Sequence, residues 1–226
     1  MDTVTGVGVL DKTVLILRVV AEGPRSLGAL QAASGLPRAT AHRLAVALEA
    51  HGLLRRDHDG RFELGPDLAA LGRVAAERNP IGPLALPALE ALRDETGEST
   101  QLFVRDGAHR RCVLSLQSPH ALRWIVPEGV LFPLDLGSAG RVLSGGATGE
   151  GWVESVEERE AGVASVSAPV RSADGQVVAA VSVSGPIDRL GRSPGERYGR
   201  RVVAAADEVA AALVGNPVRL PFVQEA

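Results

Sequence analysis

The stretch SLGALQAASGLPRATAHRLAVALEAHGLLRRDHDGRFELG, residues 26–65, carries the strongest pattern in the chain and decides how the rest is read. Two helices are expected in it. The first starts at Ser26, whose hydroxyl can accept an unpaired backbone N–H, and buries Leu27, Leu30 and Ala33. It stops at Ser34-Gly35. The second starts at Pro37 and runs to about Ala50; proline suits a first helical position, where no intrahelical partner waits for its missing N–H. Ala41, Leu44, Ala45 and Leu48 recur at helical spacing and face a core. Arg38, His42 and Arg43 face the other way, with Thr40 at the border. The first two turns thus offer a guanidinium fork, a hydroxyl and an imidazole, the groups that reach base edges and phosphates in a DNA major groove. Beyond His51-Gly52, residues 53–64 read as a hairpin with Asp59-Gly60 as a tight two-residue turn. Arg55, Arg56 and Arg61 flank its tip, placed to touch phosphates. Helix, turn, helix and basic ribbon make a winged helix-turn-helix.

Charge supports that reading locally. The whole chain carries a formal net charge of −3, yet between Pro37 and Arg56 Arg38, Arg43, Arg55 and Arg56 stand against Glu49 alone. Upstream, Lys12 to Glu22 reads as a helix with Val14, Leu15, Leu17, Arg18 and Val19 as its stripe, after a loosely ordered tail over residues 1–10. A DNA-binding domain over 1–65 follows. Downstream, residues 66–79 read as a linker helix with Leu68, Leu71 and Val74 on one side, either a spacer or a lever and dimer contact. Asn79-Pro80-Ile81-Gly82-Pro83 breaks it and opens a second domain, 80–226.

Composition sets the bounds. The 226 residues are 45% hydrophobic but only 3% aromatic, so the cores are built from Val, Leu and Ala. Cys112, the single cysteine, permits no internal disulfide and points to a reducing compartment, the cytoplasm. No apolar run has the length of a membrane span and no signal-peptide pattern opens the chain, so no membrane partner is expected. No Cys pair, metal-spaced His cluster or nucleophile elbow is present; neither an enzyme nor a metal or cofactor site is indicated. The acidic run Glu154, Glu157, Glu158, Glu160 reads as a solvated loop.

In the second domain a helix over Leu84–Thr96 gives way to period-two alternation. Residues 101–105, 111–116, 123–126, 162–171 and 176–185 read as strands, with turns at Asp106-Gly107 and Asp174-Gly175, and a helix from about Glu196 to Val214 closes the chain. The class is α+β: an antiparallel sheet with helices covering one face. Val177, Ala179, Val181 and Val183 share one face with Ala164, Val166, Ala168 and Val170, which goes under the helices. The opposite face offers the hydroxyls of Ser165, Ser182 and Ser184 on small side chains, a combination that suits a pocket for a small polar molecule or an ordinary solvated surface. Gly137-Ser138-Ala139-Gly140-Arg141 opens a helix with free N–H groups, either an anion contact or a plain cap. Cys112 alternates within its strand and belongs to the core.

Together these stretches resemble the IclR family of bacterial transcription regulators. The resemblance lies in residues 8–18, 35–53, 60–66, 158–172 and 178–191, in family order. It implies an N-terminal winged helix-turn-helix, a linker helix and a C-terminal effector-binding domain of GAF-like fold, binding operator DNA as a dimer or dimer of dimers. Arg38, Thr40, His42 and Arg43 fall on the family's recognition helix. Ser155, Ser165, Ser182 and Ser184, near the Gly137-Ser138-Ala139 turn, fall where members contact small effectors. The nearest likeness is to an actinobacterial subgroup associated with amino-acid biosynthesis genes, leucine among them. The connection from Leu143 to Glu150 is shorter than is usual in the family, where it helps wall the effector site. A second reading follows from that, in which the C-terminal domain only oligomerises and binds no small ligand.

Overall fold

Residues 7–78, 81–146 and 149–214 are described by a computed structural model, and the chain divides into two units between Glu77 and Arg78. In the first unit α1 (Gly8–Ala21) begins before the expected Lys12, so Gly8 to Leu10 are helical rather than part of a loose tail; residues 1–6 lie outside the described residues. Its buried stripe is Ile16, Val19 and Val20. Val14 and Arg18 are exposed instead, because the other two helices cross the flank centred on Ile16, two positions round from Val14.

The next helix, α2 (Leu27–Ser34), is capped by the Ser26 hydroxyl, which accepts the Ala29 N–H at 3.3 Å, and it ends at Gly35. Ala33 is exposed, contrary to expectation; Ser34 is buried, accepts the Leu36 N–H at 3.4 Å and turns Leu36 into the core. In α3 (Arg38–Ala50) Pro37 is the N-cap rather than the first helical residue, and Ala41, Leu44, Ala45 and Leu48 are buried as expected. These pack with Ile16, Val20, Leu30, Leu36, Leu54 and Phe62. Each fully buried Leu or Phe there contributes roughly 1.5–3 kcal/mol.

The wing pairs β1 (Leu54–Arg56) with β2 (Phe62–Leu64) antiparallel, and Arg25 bridges to Phe62 on the far edge. Its tip is not a two-residue turn. Asp57 N–H donates to the Arg61 carbonyl (2.9 Å) and Gly60 N–H to the Asp57 carbonyl (3.0 Å), so the loop is three residues long. Only Gly60 is left-handed there (φ +73°); Asp59 is not, because the Asp57 carboxylate takes the N–H groups of Asp59 and Arg61 and holds the loop around itself. The wing leads into α4 (Pro66–Arg78), whose Asp67 N–H donates to the Gly52 carbonyl at 3.2 Å. In the single chain Leu71 is 62% and Val74 42% exposed.

The second unit opens with α5 (Ile81–Thr96), which starts before the expected Leu84. Ile81, Gly82 and Pro83 therefore do not break the chain; Pro83 sits in the first turn, where an N–H is not needed, and residues 79–80 lie outside the described residues. Strands β3 (Ser99–Asp106), β4 (His109–Leu116) and β5 (Leu131–Pro133) precede α6 (Ser138–Leu143). Then come β6 (Val153–Val156), β7 (Val163–Arg171), β8 (Val177–Pro186), α7 (Ile187–Leu190) and α8 (Pro194–Val214). The six strands form one antiparallel sheet in the order β5-β4-β3-β8-β7-β6.

The expected strand over 123–126 is absent. Pairing on the outer edge of β4 begins only after the turn at Pro127: Gly129 N–H donates to Cys112 O (2.7 Å), Cys112 N–H to Val130 O (3.1 Å), and Leu131 pairs with Arg111. The Trp124 carbonyl instead accepts the Ser99 hydroxyl at 2.8 Å.

Facing assignments hold along most of β7 and β8, but at the start of β8 they invert: Val177 packs with the smaller cluster and Val178 with the helix-side core, where the ladder shifts register between Val170 and Arg171. Ala164, Val166, Ala168, Val170, Ala179, Val181 and Val183 are buried with Leu89, Leu92, Val202 and Val209, the apolar faces of the two long helices. The opposite face carries a smaller cluster of its own, in which Phe103, Cys112 and Ala180 pack with Val126, Leu134, Ala139, Val142 and Val153. Thus α6 and the segment before it cover part of the hydroxyl-bearing face.

Candidate functional sites

On α3 the residues expected to meet a duplex stand free. Arg38, His42 and Arg43 are exposed and Thr40 is half-buried, and none of the four enters an ion pair or side-chain hydrogen bond among the described residues. The wing differs. Arg55 pairs with Glu63 (2.7 Å), and Arg61 with Asp57 (2.7 Å) and Asp59 (3.0 Å). Arg56 pairs with Glu49 (3.1 Å), donates to the Gly60 carbonyl and lies 4.2 Å from the centre of the Phe62 ring. The local cationic excess read from sequence is therefore concentrated on α3, while the wing arginines are largely compensated. Asp57, His58 and Asp59 lie close enough to share a metal ion. Asp57, however, already accepts from Arg61 and two backbone N–H groups, which occupy most of its lone pairs.

In the second unit Gly137, Ser138, Ala139, Ser155, Ser165, Ser182 and Ser184 line one cavity. Register explains how: Ser165 faces Ser184 and Ser167 faces Ser182 across β7 and β8, and Ser155 faces Ser165 across β6 and β7. The hydroxyls are linked. Ser138 Oγ lies 2.7 Å from Ser165 Oγ and 2.8 Å from Ser167 Oγ, and Ser167 donates to Ser182 at 2.9 Å. Ser184 donates to Gln101 Oε1 at 2.8 Å. The cavity is small, about 30 Å³, room for a few heavy atoms at most. Its walls come from β3, β4, β6, β7, β8, α6, Val126 and residues 158–160. In the shortened connection residues 147–148 lie outside the described residues.

Further residues line it that sequence alternation did not single out: Gln101, Phe103, Arg110, Val126, Glu158, Arg159, Glu160 and Val163. Gln101 is fully buried, and its Nε2 has no hydrogen-bond partner. Arg110 is 3% exposed. Its Nη1 donates to the carbonyls of Pro133 and Leu136, while its Nε has no partner. Burial pushes this guanidinium down to about 10. Arg159 is half-buried, and its group is likewise shifted down by burial. Glu157, Glu158 and Glu160 lie in an exposed bend, as expected, but Glu158 is not free. It accepts from Arg141 (2.6 Å) and from the Gly137 N–H (3.1 Å), which fixes the start of α6. Glu154 similarly accepts the Gly195 N–H at 2.7 Å at the start of α8. Alternation could have suggested Gln101, which shares a face of β3 with Ser99 and Phe103 and lies opposite Ser182; nothing in the sequence pairs Arg110 with Arg159, since they come from strands and loops far apart in the chain.

No helix among the described residues is long and apolar enough to cross a membrane. Comparison with known proteins gives the family. The profile of the IclR helix-turn-helix domain matches residues 9–58, and that of the bacterial transcriptional regulator IclR C-terminal region matches residues 146–211. The chain is similar to the glycerol operon regulatory protein of Streptomyces griseus, at 29% identity over 90% of this chain and 94% of that one. It is similar as well to the transcriptional repressor IclR of Escherichia coli, at 23% identity over 91% and 90%. Among solved structures, an IclR homolog complexed with 4-hydroxybenzoate from Microbacterium hydrocarbonoxydans shares the fold, with a TM-score of 0.76, 21% identity, and coverage of 92% of this chain and 100% of that one. With one profile on the three helices and the first part of the wing and the other running from β6 into α8, the chain belongs to the IclR family, whose members are DNA-binding transcription regulators and not enzymes.

Proposed function

We propose that this protein binds operator DNA through α3 and the wing and answers a small metabolite held in the serine-lined cavity. The observation that carries the first half is the unpaired, exposed row of Arg38, His42 and Arg43 on a helix whose opposite face is buried. Arg38 reads a base edge or clamps a phosphate; Arg43, Arg55, Arg56 and Arg61 hold the backbone, and Thr40 and His42 complete the contact. Two protomers would set their α3 helices in successive major grooves about 34 Å apart. The exposed stripe of Leu71 and Val74 on α4 supports self-association, as a dimer or dimer of dimers.

The seven cavity residues, Gly137, Ser138, Ala139, Ser155, Ser165, Ser182 and Ser184, are proposed as the effector contacts. That a homolog of this fold was crystallised with 4-hydroxybenzoate supports a small ligand rather than a purely oligomerising domain. Such a ligand must favour one arrangement of the DNA-binding domains over another, and α4, the linker, is the element that would transmit it. The relatives' names support metabolic operons as targets in the cytoplasm, with amino-acid biosynthesis genes as the finer proposal. Operator sites found by genomic footprinting supply the test. Arg38→Ala should weaken binding to them by about 1–3 kcal/mol; an unchanged affinity removes Arg38 from the interface.

A further inference from the structure

We propose that the cavity selects a carboxylate: the guanidinium groups of Arg110 and Arg159, with the amide of Gln101, hold the negative head of a small organic acid, and Arg159 closes over it. The inference rests on the effector reading above and adds the charge of the ligand and the residues that choose it.

Neither Arg110 nor Arg159 forms an ion pair among the described residues, although both line the cavity and Arg110 is nearly inaccessible. Both instead border the same aromatic ring. Arg110 lies 5.3 Å and Arg159 4.2 Å from the centre of Phe132; Arg110 is also 5.5 Å from Phe103, and Arg159 5.2 Å from Trp124. Rings attract a cation but do not neutralise it. A buried charge without a counter-charge is costly, and here two like charges oppose each other, each shifted towards its neutral form.

Nearby carboxylates relieve this only from a distance: Asp135 acts on Arg110 and Glu160 on Arg159, neither as an ion pair. Glu158 is committed to Arg141 and the Gly137 N–H, and Glu160 is exposed. Unmet donors belong to the lining residues as well: Arg110 Nε and Gln101 Nε2 are both buried without partners. In a domain where buried polar atoms are generally paired, two orphan donors beside two cations that have no ion pair among the described residues describe a missing acceptor that carries negative charge. A planar carboxylate fits the fork of a guanidinium, and the Ser182 and Ser184 hydroxyls stand at the same wall. At about 30 Å³ the cavity, which is partly open to solvent, admits little more than the acid head itself. Arg159, the less buried of the pair, belongs to the short segment 158–160 at the wall and is the side chain that can swing aside for a larger body.

The test uses the full-length protein at constant ionic strength with acetate, its neutral analogue acetamide and inorganic phosphate, read by thermal melting and titration calorimetry. Acetate should raise the melting temperature of the C-terminal unit and acetamide should not. Arg159→Gln, which leaves the Arg110 braces to Pro133 and Leu136 in place, should weaken acetate binding about tenfold or more. Arg159→Lys, keeping the charge but losing the fork, should fall between and guards against a folding defect in the first variant. Equal binding of acetamide, or full acetate affinity in a folded Arg159→Gln protein, would overturn the charge assignment while leaving the effector cavity standing. A response to phosphate alone would overturn the carboxylate class. No response to any probe, together with operator binding that none of them alters, would overturn this inference and the effector reading together.

Discussion

Gly140 stands where a methyl group has no room. A Cβ there would come within 2.3 Å of the Leu134 carbonyl oxygen and 2.6 Å of Arg110 Nη1, the atom that braces the loop before α6. Neither neighbour can yield cheaply: the carbonyl belongs to backbone over the smaller core, and the guanidinium is pinned between carbonyls. Gly140→Ala should therefore destabilise the C-terminal unit by about 1–3 kcal/mol, as overpacked sites do. Gly28, in α2, makes the opposite comparison, because a Cβ there meets nothing within 4 Å. Gly28→Ala should stabilise the winged unit by about 0.4–1 kcal/mol by restricting the unfolded chain. Melting of both variants checks the pair; a neutral Gly140→Ala would show that the loop bracing Arg110 is soft.

At the scale of elements, α3 and the wing divide the work that their arginines suggested equally in sequence. Arg43 has no side-chain partner among the described residues, so its charge is available to displace counterions from DNA. Arg61 is held by Asp57 and Asp59, and the Asp57 carboxylate also closes the wing tip. Arg43→Ala should lower the slope of log affinity against log salt by about one unit. Arg61→Ala should change that slope less and loosen the wing instead, seen as faster amide exchange at Gly60. Equal slopes for both variants would refute the division. The same contrast shows what was legible in the chain. The buried row of α3 and the faces of β7 and β8 from Ala179 onward follow from spacing alone, because one periodicity governs each; Val177 and Val178 do not, because an irregularity in the ladder interrupts the period there. The compensation of Arg55 by Glu63 was not visible, since it depends on the register of a ribbon whose turn closes around the Asp57 carboxylate rather than at Asp59-Gly60. Residues 123–126 have strand composition but form none, because β4 takes its edge partner only after Pro127. The hydroxyl wall of the cavity was legible from alternation; its arginines were not, because a strand and a distant loop bring them together only in the folded sheet.

For the molecule as a whole, acid is the condition that reaches both units through named groups. In the winged unit partial burial raises Asp57, but the Arg61 side chain and the backbone N–H groups of Arg61 and Asp59 outweigh it, and the carboxyl ends below its usual 3.8. In the sheet unit burial likewise raises Glu158, and hydrogen bonds from Arg141 and Gly137 bring it below its usual 4.5. A carboxyl whose folded value is depressed contributes stability that is fully present above its unfolded value and is lost as pH falls through the folded one. Melting temperature should therefore hold from neutrality down to about pH 5 and fall below it, in both units. Glu158→Gln isolates one of these contributions. The variant should melt a few degrees lower than the parent at neutral pH, a modest effect because the pair is partly exposed to solvent. The gap should then close as pH drops below 4.5, where the parent's own Glu158 begins to take up a proton. Because Glu158 also fixes the first turn of α6, the loss should appear in the C-terminal unit and leave melting of the winged unit unchanged. A gap that stays constant down to pH 3 would mean that the glutamine, not the missing charge, disturbs the site.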